Sequence, residues 1–190
     1  MPFRYENLDN GLFHVYNRGN QKDIIFHSPQ DYGFFIRQMN IYHIKYNITI
    51  YYYCLMPNHF HIGLSILSGH DLIHFMKQVQ MTYALYLQRS YKWVGHVFQG
   101  RYKTRRVKDV HQFIYLSSYI HLNPFMADIV HGFVDWRWSS YLDYIGLRNG
   151  TLVQKDMLMQ NFISPRHYRE WVETVGKEKM TDKLCGLMIE

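Results

Sequence analysis

Acidic residues are scarce in this chain, cysteine is nearly absent, and no apolar run is long. Asp and Glu number 15 against 21 Lys and Arg in 190 residues, a formal charge of +6. Such a balance favours polyanionic partners, nucleic acid first and an anionic membrane surface second. Its bland alternative is solubility through net charge. The two cysteines, Cys54 and Cys185, are far apart and lack metal-binding spacing. That argues against a disulfide scaffold and fits a reducing compartment, with Cys54 a small core residue in an apolar run. No apolar stretch is long enough to span a bilayer. The opening Met1-Pro2-Phe3-Arg4-Tyr5-Glu6 is too polar for a signal peptide. A cytoplasmic protein with no membrane partner is expected. There is no internal repeat and no low-complexity tract. What the chain has in plenty is apolar material, 47% hydrophobic and 17% aromatic, enough for a packed core.

Periodicity orders the elements. Leu12 to Arg18 reads as a strand closed by Gly19. Ser28, Pro29 and Asp31 open a helix whose stripe runs Tyr32, Phe35, Ile36, Met39, Tyr46. Ile48 to Met56 is β-branched and aromatic, hence a strand. Pro57-Asn58 is a turn, and His59 to Ile66 returns as the second strand of a hairpin. Asp71 can cap a long helix reaching about residue 91. Residues 96 to 107 look extended around Gly100. Asp109, with Gln112 three residues on, opens a further helix, expected to stop near Asn123 because Pro124 follows. A last helix starts at Ser164-Pro165, with Tyr168, Trp171, Val172 and Val175 on one face. The order suits an α+β fold, a ferredoxin-like β-α-β-β-α-β sandwich of an antiparallel sheet with helices on one face. Extra helices follow, including a C-terminal extension. The expected division is a main domain over 1–150 and a helical extension over 151–190.

Three constellations carry chemistry. His59 and His61 are two apart on a strand, so both imidazoles leave one face while Phe60 packs on the other. Two parallel imidazoles can grip a divalent metal. With 12 histidines in 190 residues, about one such pair arises by chance, so the alternative is an exposed polar strand face. Tyr119 and Asn123 lie four apart and share a helix face. A tyrosine that attacks phosphorus must sit near the metal that polarises the phosphate, and Asn123 offers an oxygen suited to Mg²⁺ or Mn²⁺. Tyr115 is the rival nucleophile, but the residue four beyond it is Tyr119, a poor ligand. His111 and Tyr115 extend the stripe toward DNA or a stacked base, while Phe113, Leu116, Ser117 and Ile120 are expected to face the sheet. Last, Arg101, Lys103, Arg105, Arg106 and Lys108 crowd around Tyr102, a pattern that suits phosphates and unpaired bases. The alternative is a charged edge strand. Arg4, Arg18 and Lys22 are weaker candidates.

Leu55-Met56-Pro57-Asn58-His59-Phe60-His61 resembles the HUH motif of single-tyrosine transposases, and Tyr119-Ile120-His121-Leu122-Asn123-Pro124 resembles their catalytic-helix segment. Phe13-His14-Val15-Tyr16-Asn17-Arg18-Gly19, Phe98-Gln99-Gly100-Arg101-Tyr102-Lys103 and Trp138-Ser139-Ser140-Tyr141 agree as well. Together they resemble the REP-associated tyrosine transposase (RAYT) family, over about residues 11 to 145 and again from Phe162 to Trp171. The resemblance implies His59, His61 and Asn123 as ligands of Mg²⁺ or Mn²⁺, and Tyr119 as nucleophile. It also implies a 5′-phosphotyrosine intermediate on single-stranded DNA bearing an imperfect hairpin, in a bacterial, nucleoid-associated setting. A monomer follows from the RAYT-like branch, although insertion-sequence relatives build dimers. One departure is visible: where the family often reads Asn-Pro-Val-Arg-Ala, this chain has Asn123-Pro124-Phe125-Met126-Ala127, without the basic residue. Three other readings stay open. A non-catalytic hairpin binder derived from a transposase keeps the fold without the cut. A metallohydrolase would use activated water, and an RNA-recognition module would need a Gly-aromatic signature that no strand carries.

Overall fold

Alternation along Gly11–Arg18 (β1) sends Phe13 and Val15 to one face of a sheet and His14 and Tyr16 to the other. The structure, a computed structural model, describes residues 8–178. Arg4, Cys185 and the side chain of Val175 lie outside the described residues. After β1 come α1 (Pro29–Lys45), β2 (Thr49–Met56), β3 (His59–Ile66), α2 (Gly69–Tyr91), β4 (Lys103–Arg106) and α3 (Val110–Met126). Two single-turn helices, α4 (Tyr141–Tyr144) and α5 (Asp156–Met159), precede α6 (Pro165–Glu178). The strands form one sheet in the order β2-β3-β1-β4, with every pair antiparallel. This is the expected ferredoxin-like arrangement.

The apolar face of β3 buries Phe60, Ile62, Leu64 and Ile66. Phe60 meets Phe35 of α1 at 5.0 Å between ring centroids. Phe75, Met76, Val79 and Tyr83 of α2 complete this side. Helix α1 begins with a capping box built by Ser28 and Asp31, as the sequence indicates. Asp31 also accepts from the hydroxyls of Tyr86 and Tyr91, tying both helices at one end. Ser68, rather than Asp71, caps α2, because its hydroxyl accepts from the His70 N–H and leaves Asp71 in the first turn.

Helix α3 covers the opposite, histidine-bearing face. Phe113 packs against Tyr51 and Tyr52 of β2. Tyr52 lies over Gly63, where an added Cβ would come within 2.1 Å of its ring. The helix runs through Pro124 to Met126 instead of stopping at Asn123. Pro124 sits in the last turn, where little of the helical ladder remains to break. The carbonyls of Asn123 and Pro124 are taken up by Ala127 and Ile129.

A buried chain of hydrogen bonds fastens α6 to α3. His121 Nδ1 lies 2.8 Å from the Tyr168 hydroxyl, and His121 Nε2 lies 2.8 Å from Ser140 Oγ. Ser117 also reaches Tyr168, at 3.2 Å, so it faces α6 and not the sheet. Residues 138–140 run along the outer edge of β2, with Leu55 N donating to Trp138 O and Ser140 N to Tyr53 O. That edge is thereby covered.

Tyr168→Phe removes one hydroxyl and leaves His121 Nδ1 buried without a partner. The expected loss is about 1–3 kcal/mol, read as a lower urea midpoint with an unchanged slope. An unchanged midpoint would show that this bond does not hold α6.

Candidate active site on the histidine face

Strand register assembles the site in three rows. Tyr52, Gly63, His14 and Arg105 stand side by side across β2, β3, β1 and β4. The next row is Cys54, His61, Tyr16 and Lys103, and the third is Met56, His59 and Arg18. His59 and His61 therefore do share a face, with ring centroids 5.0 Å apart and planes at 90°. Their surroundings are not the exposed polar strand face of the alternative reading: His61 is only 3% exposed.

Each imidazole is held by its Nδ1. His59 Nδ1 lies 2.6 Å from Asn58 Oδ1, an acceptor only, so the ring donates there and keeps its Nε2 lone pair. His61 Nδ1 lies 2.9 Å from His14 Nε2. Burial, with the charge of Arg18 nearby, holds the His59 pKa down at about 4. Burial, then His14 and His59, holds His61 well below the usual 6.5. Neutral imidazoles engaged through Nδ1 leave Nε2 as the ligating atom for a divalent cation. Among the described residues no group of three His, Cys, Asp or Glu side chains could hold one. A third donor would have to be of another type, and the buried amide of Asn123 is the expected one.

Tyr119 and Asn123 sit one turn apart on α3, the helix that covers this face. Asn123 is 7% exposed and Tyr119 is half-buried. Tyr115 is 37% exposed and packs near Trp171 of α6, with centroids 5.6 Å apart. His111 is exposed at the start of the helix. Beyond Asn123, Phe125 packs against Phe133 with ring centroids 4.3 Å apart.

The basic run is divided by the pleat of β4. Lys103 and Arg105 stand with Tyr16 and His14 on the histidine face. Arg106 points the other way: its guanidinium donates to the Asp9 and Asn10 carbonyls and lies 4.8 Å over the Phe13 ring. Two carbonyls and a ring hold the Arg106 guanidinium on the face opposite the histidines, where it stays exposed. Arg101 and Tyr102 line a cleft of about 490 Å³ beside α2, with Lys77, His96 and Phe98. Lys108 is exposed at the entry to α3. Arg18 bonds Gln99 next to His59. Sequence reasoning missed two positions as site residues, Asn58 and His14. Asn58 is inside the quoted motif, and His14 shares the period-2 face of Tyr16 and Arg18, so both signals were present locally.

A family model described as IS200-like transposase matches residues 10–123. No curated protein sequence matches. Among solved structures, a REP-associated tyrosine transposase bound to a REP hairpin superposes with a TM-score of 0.65 at 13% identity, covering 83% of this chain and 96% of that one. A candidate transposase from Deinococcus radiodurans gives a TM-score of 0.44 at 14% identity, covering 63% of this chain and 95% of the other.

The buried imidazoles make stability depend on pH in the metal-free protein. Burial, then Arg105, holds His14 at about 3, and burial, then Arg148, holds His121 at about 3. Unfolded, these rings take up protons near 6.5. The unfolded state thus binds more protons below that pH, so stability is whole above 6.5 and is lost as pH falls toward 3. Each histidine held neutral contributes a slope of about 1.4 kcal/mol per pH unit. Urea midpoints in EDTA should fall progressively as the buffer is taken from about pH 7.5 to about pH 5; a flat profile contradicts it.

Proposed function

The chain belongs to the IS200-like transposase family, and from that premise we propose that it is a metal-dependent single-tyrosine nickase and strand transferase. Its substrate is single-stranded DNA carrying an imperfect, REP-like hairpin. The observation that supports this most is the His59–His61 pair, each ring held by Nδ1, on the sheet face covered by the helix of Tyr119 and Asn123. The neighbouring fold found with a REP hairpin bound favours the same class of DNA.

His59, His61 and Asn123 would hold Mg²⁺ or Mn²⁺, which supplies Lewis-acid polarisation of the scissile phosphate. The Tyr119 phenol attacks phosphorus as the bond to the 3′-oxygen breaks. The phenol loses its proton and the departing 3′-oxygen gains one. The products are a 5′-phosphotyrosine and a free 3′-hydroxyl. Because the phosphodiester is exchanged and not hydrolysed, another 3′-hydroxyl can reverse the step and join strands without ATP. Arg18, Lys103 and Arg105 bring positive charge to the same face and attract backbone phosphates. Arg101, Tyr102, Lys108, His111 and Tyr115 are further DNA contacts in this reading.

Wild type, Tyr119→Phe and Tyr115→Phe, incubated with Mn²⁺ and labelled hairpin strands, should separate on denaturing gels. Adduct is expected in wild type and Tyr115→Phe, and none in Tyr119→Phe or under EDTA. Loss in Tyr115→Phe alone would move the nucleophile. Tight binding without adduct in any protein would favour the non-catalytic binder.

The divided basic run gives a second test. Arg105→Ala should weaken hairpin binding and lower the slope of log affinity against log salt by about 1. Arg106→Ala should leave that slope unchanged and lower the melting temperature instead. The reverse assignment would reject the division of β4 into two faces.

A further inference from the structure

Resting on the His59–His61 ligand pair proposed above, we infer that His14 is the positioning residue that aims His61 at the cation by accepting the proton of its Nδ1. His14 is fully buried, and its Nε2 is 2.9 Å from His61 Nδ1. The two rings lie edge to edge, centroids 5.1 Å and planes 19° apart, and Tyr16 stacks on His14 at 4.8 Å. Gly63, opposite His14, contributes no side chain, so nothing from that position stands between the two imidazoles.

An imidazole that ligates through Nε2 must carry its proton on Nδ1, and the group receiving that proton fixes both tautomer and ring orientation. His59 has Asn58 for this purpose. For His61 the corresponding group is His14, which can accept only through Nε2 and then carries its own proton on Nδ1. In the metal-free protein the shared proton can lie on either ring. A cation on His61 selects the arrangement in which His61 donates.

The other edge of His14 separates positioning from packing. Its Nδ1 is buried with no hydrogen-bond partner. A buried polar atom without a partner is unfavourable, so an apolar ring would serve packing alone better. Among the described residues the one hydrogen bond of the His14 side chain is to His61, and that contact is what a polar ring here provides.

The test uses the full chain, stripped of metal and titrated with Mn²⁺, free ion being read by electron paramagnetic resonance. The proteins are wild type, His59→Ala, His14→Phe and His14→Gln, each also melted in EDTA. Glutamine can place its amide oxygen near the Nε2 position and accept the same proton; phenylalanine keeps an aromatic ring beside Tyr16 and loses the acceptor. His14→Phe is expected to bind Mn²⁺ about 10- to 100-fold more weakly, while His14→Gln stays close to wild type. Metal-free melting temperature should not fall in His14→Phe. Wild-type affinity in His14→Phe, with binding lost in His59→Ala, overturns the role of His14 and leaves the ligand pair standing. Equal loss in both His14 variants together with lower metal-free melting shows a structural role and overturns it as well. Absence of Mn²⁺ binding in wild type, or undiminished binding in His59→Ala, overturns the ligand pair and this inference with it.

Discussion

Pairing of β1 with β3 sets Tyr16 opposite His61, Arg18 opposite His59 and His14 opposite Gly63. Nearly everything distinctive about the histidine face follows from that register. A shift by one residue would turn Phe13 and Val15 toward the imidazoles and His14 into the apolar core. The register is held because β1 buries Phe13 and Val15, and β3 buries Phe60, Ile62, Leu64 and Ile66, on one face, so slipping would expose several large side chains at once. Loop contacts add to it: Gly19 N donates to Asn58 O, and Ile25 N and Phe26 N both donate to Pro57 O. The turn that carries the two histidines is thus anchored at its tip by the segment following β1.

The second constraint is the position of α3 between the sheet and α6. Its sheet side is aromatic, Phe113 on Tyr52, and its outer side is polar, with His121 and Ser117 bonded to Tyr168. A helix fastened on both sides has little freedom to rotate or slide. Tyr119 and Asn123 therefore inherit a fixed orientation from residues that do no chemistry. The covalent step proposed above depends on a nucleophile held in a fixed place, which such fastening favours.

Charge is distributed by the same logic. Strand β4 pairs with β1 for only four residues, and alternation sends Lys103 and Arg105 toward the imidazoles while Arg106 secures the start of β1. Burial first, and positive charge beside the rings second, disfavour protonation of His14 and His59. Arg18 and Arg105 supply that charge, and in the proposed function the same two residues attract DNA phosphates.

The element order, the strand–turn–strand around Pro57-Asn58, the shared face of His59 and His61 and the one-turn spacing of Tyr119 and Asn123 were all legible from the chain, because each depends on a period of two or of 3.6 residues within a short window. Three local readings needed correcting. Ser68 caps α2 ahead of Asp71 and Ser117 turns to α6, each because a hydrogen bond outweighed the local preference, and α3 passes through Pro124 because the proline falls in its last turn. What only the tertiary structure decided is which group each ring faces. The contact between His14 and His61 joins residues 47 apart, and that between Arg106 and Asn10 joins residues 96 apart. Periodicity states which face a side chain leaves by, but not which strand lies beside it or in what register. Those depend on burying the whole apolar surface at once, a condition no short window of sequence contains.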